Sequence, residues 1–140
     1  MNRKFLWYLA SPYSKYEGGQ QKAHDDVIKI MAQLVKNGLN IFCPIAHTHA
    51  LGLEMGNALD STFWTEFDNT FLELCDGVIV AKMPGWDQST GIAQKIAEAE
   101  NAGKQIVYLD PDVVLNNNNC DNIGICQDMG NISPPILDMV

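Results

Sequence analysis

Two short polar turns carry the side chains best suited to chemistry. Ser11-Pro12-Tyr13-Ser14 follows the apolar run Phe5-Leu6-Trp7-Tyr8-Leu9-Ala10. Pro84-Gly85-Trp86-Asp87-Gln88-Ser89-Thr90-Gly91 follows Gly77-Val78-Ile79-Val80-Ala81. In the second turn, Trp86 offers a ring that can stack on a flat ligand. Gly85 and Gly91 let a ligand approach the backbone, and Ser89 or Thr90 suits the cap of a helix whose free N–H groups favour an anion. In the first turn, Tyr13 can orient a carboxylate or contact a sugar, and Ser11 or Ser14 can cap the chain or donate to phosphate. Ligands of open α/β sheets bind beyond the carboxyl ends of strands. Two such turns therefore imply one composite small-molecule site.

The elements that position these turns follow from periodicity. Phe5–Ala10 is apolar throughout, as in a parallel strand covered on both faces. Ala23, Val27, Ile30, Met31 and Leu34 recur at helical spacing, and Asn37-Gly38 stops that helix. Leu39–Cys43 reads as a second strand closed by Pro44. Residues 46–60 read as an irregular segment with one short helix. Phe63, Phe67, Phe71 and Leu74 form a helical stripe over Ser61–Leu74. Gly77–Ala81, Gly91–Ala102 and Gln105–Leu109 read as strand, helix and strand. The expectation is an α/β fold, doubly wound, with a mainly parallel four- or five-stranded sheet and helices on both faces. In the order 2-1-3-4 the chain reverses its direction of travel between strands one and three, which are the strands that bear the two turns. One domain spans 1–110. Residues 111–140, with the run Asn116–Asn119 and Pro134-Pro135, read as an appendage without a separate fold.

Bulk properties narrow the function. With 140 residues, the chain is long enough for one real core. A net charge of −8 argues against nucleic acid as a partner, although a nucleotide needs only a few local donors. No apolar run reaches the ~20 residues that cross a bilayer, so no membrane partner is expected and the chain reads as cytoplasmic. Cys43 and Cys75 sit in apolar surroundings and read as small hydrophobes rather than as a disulfide. Cys43, His47 and His49 match no zinc spacing, and no metal or cofactor is expected. No phosphate-binding Gly-x-x-x-x-Gly-Lys-Ser/Thr loop and no nucleophile elbow occur.

The sequence resembles the nucleoside 2-deoxyribosyltransferase-like superfamily, and within it a small branch of bacterial and phage proteins. The resemblance rests on Tyr8-Leu9-Ala10-Ser11-Pro12-Tyr13-Ser14, on Phe42-Cys43-Pro44-Ile45-Ala46-His47-Thr48-His49, and on Phe63-Trp64 with Asp68. It continues through Cys75–Val80, Pro84-Gly85-Trp86 with Ser89 and Gly91, and Gly103-Lys104. It implies cleavage or transfer at the N-glycosidic bond of a nucleoside or nucleotide. It also implies a glutamate nucleophile on the helix after strand three, a tyrosine after strand one that holds that carboxylate, and homo-oligomers.

One departure matters. Six residues beyond Ser89, where the resemblance places the glutamate, stands Lys95. Breaking a C–N glycosidic bond builds positive charge on the sugar, which a carboxylate stabilises and an ammonium repels. Glu98 lies one turn on and is the substitute nucleophile, with Tyr13 and Asp68 to position it. The alternative is a non-catalytic binder of a nucleotide or ADP-ribose-like ligand, in which Lys95 pairs with phosphate or with Glu98. Ser11, Pro12, His47, His49, Gly85, Trp86, Ser89, Gly91 and Lys95 are the expected ligand contacts. Asp68 reads as a ligand contact or an exposed helix acid. Asp76 reads as a holder of backbone N–H groups.

Overall fold

Strands that are apolar on both sides must be sandwiched between helices. A computed structural model describes residues 3–56 and 61–116. In chain order it contains β1 (Leu6–Ala10), α1 (Gln20–Lys36), β2 (Asn40–Phe42), α2 (Pro44–Met55), α3 (Ser61–Leu74) and β3 (Gly77–Ala81). A 3₁₀ turn at Trp86–Gln88, α4 (Thr90–Asn101), β4 (Gln105–Leu109) and α5 (Pro111–Asn116) follow. The four strands pair in the order β2-β1-β3-β4, all parallel. Ala10 is opposite Val80, so the carboxyl ends of β1 and β3 are side by side, as the sequence predicts.

Side chains alternate across β1. Trp7 and Leu9 join the core under α1, α2 and α5, while Tyr8 and Ala10 join a second core under α3 and α4. Cys43 belongs to the first of these cores and Cys75 to the second; both are free and buried on opposite faces of the sheet. Close register has a local requirement at Gly77. A Cβ there would stand 2.7 Å from Trp7 Cζ3 and 2.9 Å from Phe5 Cε1, so only glycine fits. Asp76 beside it accepts from the Leu6 N–H at 2.7 Å and from Arg3 through both oxygens at 2.8 Å. It pins the start of β1 to the start of β3, in keeping with its reading as a holder of backbone N–H groups.

Two segments differ from the sequence reading. Residues 44–55 form a full 12-residue helix rather than an irregular stretch. Pro44 occupies its first turn, where proline costs nothing, and Gly56 at φ 65° ends it. Its apolar residues are spread around the axis, so the stripe that betrays an amphipathic helix is missing. Regularity also persists past Pro111: α5 forms, and Val114 is buried in the core beneath α1. The rest of the expected appendage, including Cys120, Cys126 and Pro134-Pro135, lies outside the described residues. Among the described residues, no helix is long and apolar enough to cross a membrane.

Candidate functional site

The face under α3 and α4 gathers most of the ionisable groups that the sequence singles out. On α3, the stripe of Phe63, Phe67 and Phe71 makes a row of rings, with Phe71 stacked on Phe42 at 4.5 Å and 9°. Asp68 stands one turn before buried Leu72 on the side that meets the sheet. On α4, Ile92, Lys95 and Ala99 are the buried positions. They are spaced three and four apart, so Lys95 lies on the inward stripe and not on a solvated edge.

Lys95 is 7% exposed. Its Nζ donates to Asn69 Oδ1 at 2.6 Å, and Asn69 Nδ2 donates to Glu98 Oε1 at 3.1 Å. The direct Lys95–Glu98 pair that helical spacing allows is absent: neutral Asn69 bridges the two. Among the described residues Lys95 makes no salt bridge. Burial lowers its pKa, against the fields of Asp68 and Glu98, which raise it. Asp68 is pushed up to about 6, chiefly by burial, while Lys95 and His47 hold it down. Its Oδ1 is buried without a hydrogen-bond partner, and so are the hydroxyls of Tyr8 and Ser11. Burial, with the negative field of Asp68 second, drives the Tyr8 phenol far above its ordinary value. Unpaired buried polar atoms each cost about 1–3 kcal/mol, and Trp7 Nε1 and Gln33 Oε1 on the α1 side are buried without partners as well.

Tyr13, expected beside Glu98, is engaged elsewhere. It packs on the α1 side of the sheet, and its hydroxyl is 2.6 Å from His49 Nδ1. His49 Nε2 is 3.0 Å from Gln21 Oε1, so the imidazole donates through Nε2 and accepts from the phenol at Nδ1. His24 stacks on the same ring at 4.5 Å. Burial and the nearby His24 depress the His49 pKa. The sequence reading puts His47 and His49 together in an irregular segment as expected ligand contacts. They sit two apart on α2, a separation that turns them to different sides of a helix. His47 packs among Phe42, Phe67 and Phe71 at 5.3–5.7 Å, in the aromatic row of the Asp68 face. The two histidines thus belong to different clusters, and among the described residues no group of three His, Cys, Asp or Glu side chains could hold a metal ion.

The second polar turn has the expected local form. Ser89 caps α4, its Oγ accepting from the Ile92 N–H at 3.2 Å. Gly85 takes a left-handed conformation at φ 84°, which glycine alone adopts without strain. A Cβ at Gly91 would meet nothing nearer than Ser89 Oγ at 3.8 Å. Trp86 is half-buried against the α4-side core, its ring 5.8 Å from that of Tyr108. Gly85 and Trp86 also line an open groove of about 580 Å³ with Lys29, Lys82, Asp26 and Asp110. That groove contains neither Asp68 nor Lys95. We place the candidate centre at Asp68 and Lys95, because these are the ionisable groups that the fold draws in from solvent and the resemblance singles out.

Tyr8 and Asn69 are the members that sequence reasoning missed. Tyr8 lies inside an apolar strand and reads as core; the available signal was a phenol on a strand buried on both faces, where its hydroxyl needs a partner. Asn69, between Asp68 and an aromatic stripe, carried no spacing of its own.

The fold defines an α/β protein with a four-stranded all-parallel sheet and helices packed on it. Residues 6–110 match the family described as Domain of unknown function (DUF1937), and the chain belongs to that family. No curated protein matches the chain.

Proposed function

We propose that the α3/α4 face binds a nucleoside- or nucleotide-like small molecule without the glutamate chemistry of the nucleoside 2-deoxyribosyltransferase-like superfamily. The single observation that carries this reading is buried Lys95 at the position where the resemblance places the nucleophile, bonded to Asn69 and close enough to Asp68 for each to shift the other. An ammonium there suits a phosphate or a sugar hydroxyl. The rings of Phe42, Phe67 and Phe71 offer flat apolar contact to a base. Glu98 is exposed and bonded to Asn69, which suits a support better than an attacking group.

Thermal denaturation with a panel of nucleosides, nucleoside monophosphates and ADP-ribose tests this. A ligand at 100 times its dissociation constant adds about 2.7 kcal/mol of stability. Stabilisation by phosphorylated members that Lys95→Met abolishes supports the reading; no stabilisation by any of them overturns it. Release of free base by the wild-type chain, lost on Glu98→Gln, would restore the N-glycosidic hydrolase or transferase reading with Glu98 as nucleophile.

A second copy of the chain is the partner we propose. Leu51, Leu53 and Met55 on α2 are 44%, 68% and 41% exposed, and Phe63 on α3 is 39% exposed, more apolar surface than isolated helices usually leave in water. Mass in solution above that of one chain is the expected result.

A further inference from the structure

We propose that the open groove beside Trp86 is a second small-molecule site, built for a zwitterion with an apolar body: a dipeptide or a peptide of comparable length. It is separate from the α3/α4 face, and a nucleotide-like ligand there neither requires nor excludes it.

Topology puts the groove where parallel sheets take ligands, outside the carboxyl ends of the strands. Ala81 is opposite Leu109, and the Lys82 N–H donates to Leu109 O at 2.9 Å, so the segments that leave β3 and β4 start side by side. Helix α1 adds Ile30 and Lys29 to the lining, and α5 adds Asp112 and Leu115. The volume of about 580 Å³ falls within the range of about 300–1,000 Å³ of small-ligand pockets. A smaller groove of about 220 Å³ shares Tyr16 and Pro84 with it, so the two abut, and the second carries the lining on to Gly18 and Lys22 in the segment that follows β1.

The lining offers both signs of charge over an apolar floor. Ile30, Met83 and Tyr16 are buried members of the core, while Trp86 is half-buried and Leu115 exposed. The fold itself engages part of the acid: Asp26 accepts from the Tyr16 hydroxyl at 2.8 Å and pairs with Lys22 at 2.7 Å, and Asp110 accepts from the Asp112 N–H at 3.0 Å. Lys29, Lys82, Asp87 and Asp112 remain, all exposed and in no ion pair among the described residues. A phosphate would meet the carboxylates and a bare amine would meet the lysines, each at a cost from like charge. A ligand with a carboxylate at one end and an ammonium at the other matches both sets. A short peptide has those two ends, and its side chains can lie on the apolar floor.

Isothermal titration calorimetry of the full chain at low salt, with leucyl-phenylalanine, its N-acetyl form and its C-terminal amide, reads the two charges separately. The free dipeptide should bind about fivefold more tightly than either blocked form, the size expected of one exposed charge contact. The double variant Lys29→Gln/Lys82→Gln should lose the preference for the free dipeptide over the amide and keep the preference over the N-acetyl form. Asp87→Asn/Asp112→Asn should do the converse. Far-ultraviolet circular dichroism checks that both variants are folded. Equal affinity for all three forms overturns the proposal, as does the absence of binding of the free dipeptide at millimolar concentration. Folded variants that keep the wild-type preferences overturn it as well.

Discussion

Two polar clusters on opposite faces of the sheet differ in how their heads are paired. Under α1 and α2, Tyr13, His49 and Gln21 form a closed chain in which each head has a partner at 2.6–3.0 Å. Under α3 and α4, Tyr8 and Asp68 leave buried oxygens unpaired, and Lys95 has one neutral partner. Folding alone selects for the first arrangement, because an unmet buried donor or acceptor costs more than a made bond gains. The second arrangement weakens the empty protein unless water or a ligand supplies the missing partners. The contrast is between these two clusters and not between the whole faces, since Trp7 Nε1 and Gln33 Oε1 on the α1 side are also buried without partners.

The sharpest way to break this contrast is Lys95→Met. Replacing a buried charge that lacks an ion pair by an apolar side chain of similar volume is neutral or stabilising. The ligand-free variant should gain about 1–2 kcal/mol in urea unfolding while losing all response to nucleotides. A loss of stability instead would make Lys95 a structural cation, like the paired groups of the opposite face. Tyr13→Phe probes the closed network and should go the other way. It leaves His49 Nδ1 without its donor and should cost about 1–2 kcal/mol.

Asp68 adds a pH signature. Its folded value of about 6 lies above the ordinary 3.8. The native state therefore binds more protons than the unfolded state between about pH 4 and 6, and stability falls as pH rises through that window. Above it the loss is complete. With discounting for partial solvent screening, the cost at pH 7 is about 1 kcal/mol. Asp68→Asn should be more stable than wild type at pH 7, and the gain should fade by about pH 4. A gain that is the same at both pH values would show that Asp68 titrates normally and that its face holds no unusual carboxyl.

Much of this contrast was legible in the sequence, though unevenly. Apolar runs and helical stripes predict the four strands, and turn chemistry predicts a cap at Ser89 or Thr90; the order 2-1-3-4 comes from the doubly wound fold class and not from local periodicity. The face to which each polar residue belongs did not follow as easily. Tyr13 sits just past β1 and invites assignment to the site, yet the chain turns toward α2, where a helix that lacks an apolar stripe presents His49 to it. Lys95 could have been placed: Ile92, Lys95 and Ala99 share one stripe, and the charge of the lysine concealed it. The resemblance to a known superfamily marked the position of Lys95 but not its burial. Burial depends on Asn69 and Asp68 from another helix, a long-range fact that no local pattern encodes.

The smallest effect discriminates best. Tyr8 and Tyr13 are both on or just after β1 and differ in whether the hydroxyl is bonded. Removing an unpaired buried hydroxyl takes away a desolvation cost and no hydrogen bond. Tyr8→Phe should therefore leave stability unchanged or raise it by a few tenths of a kcal/mol, because the ring keeps its place against Phe42 at 5.7 Å. It also removes a donor from the binding face, so nucleotide stabilisation should weaken although the empty protein does not. The pair Tyr8→Phe and Tyr13→Phe, measured by chemical denaturation with and without ligand, sets a stability-neutral, binding-impaired change against a destabilising, binding-neutral one. If Tyr8→Phe costs as much as Tyr13→Phe, the Tyr8 hydroxyl has a structural partner and the distinction between the two clusters fails at its centre.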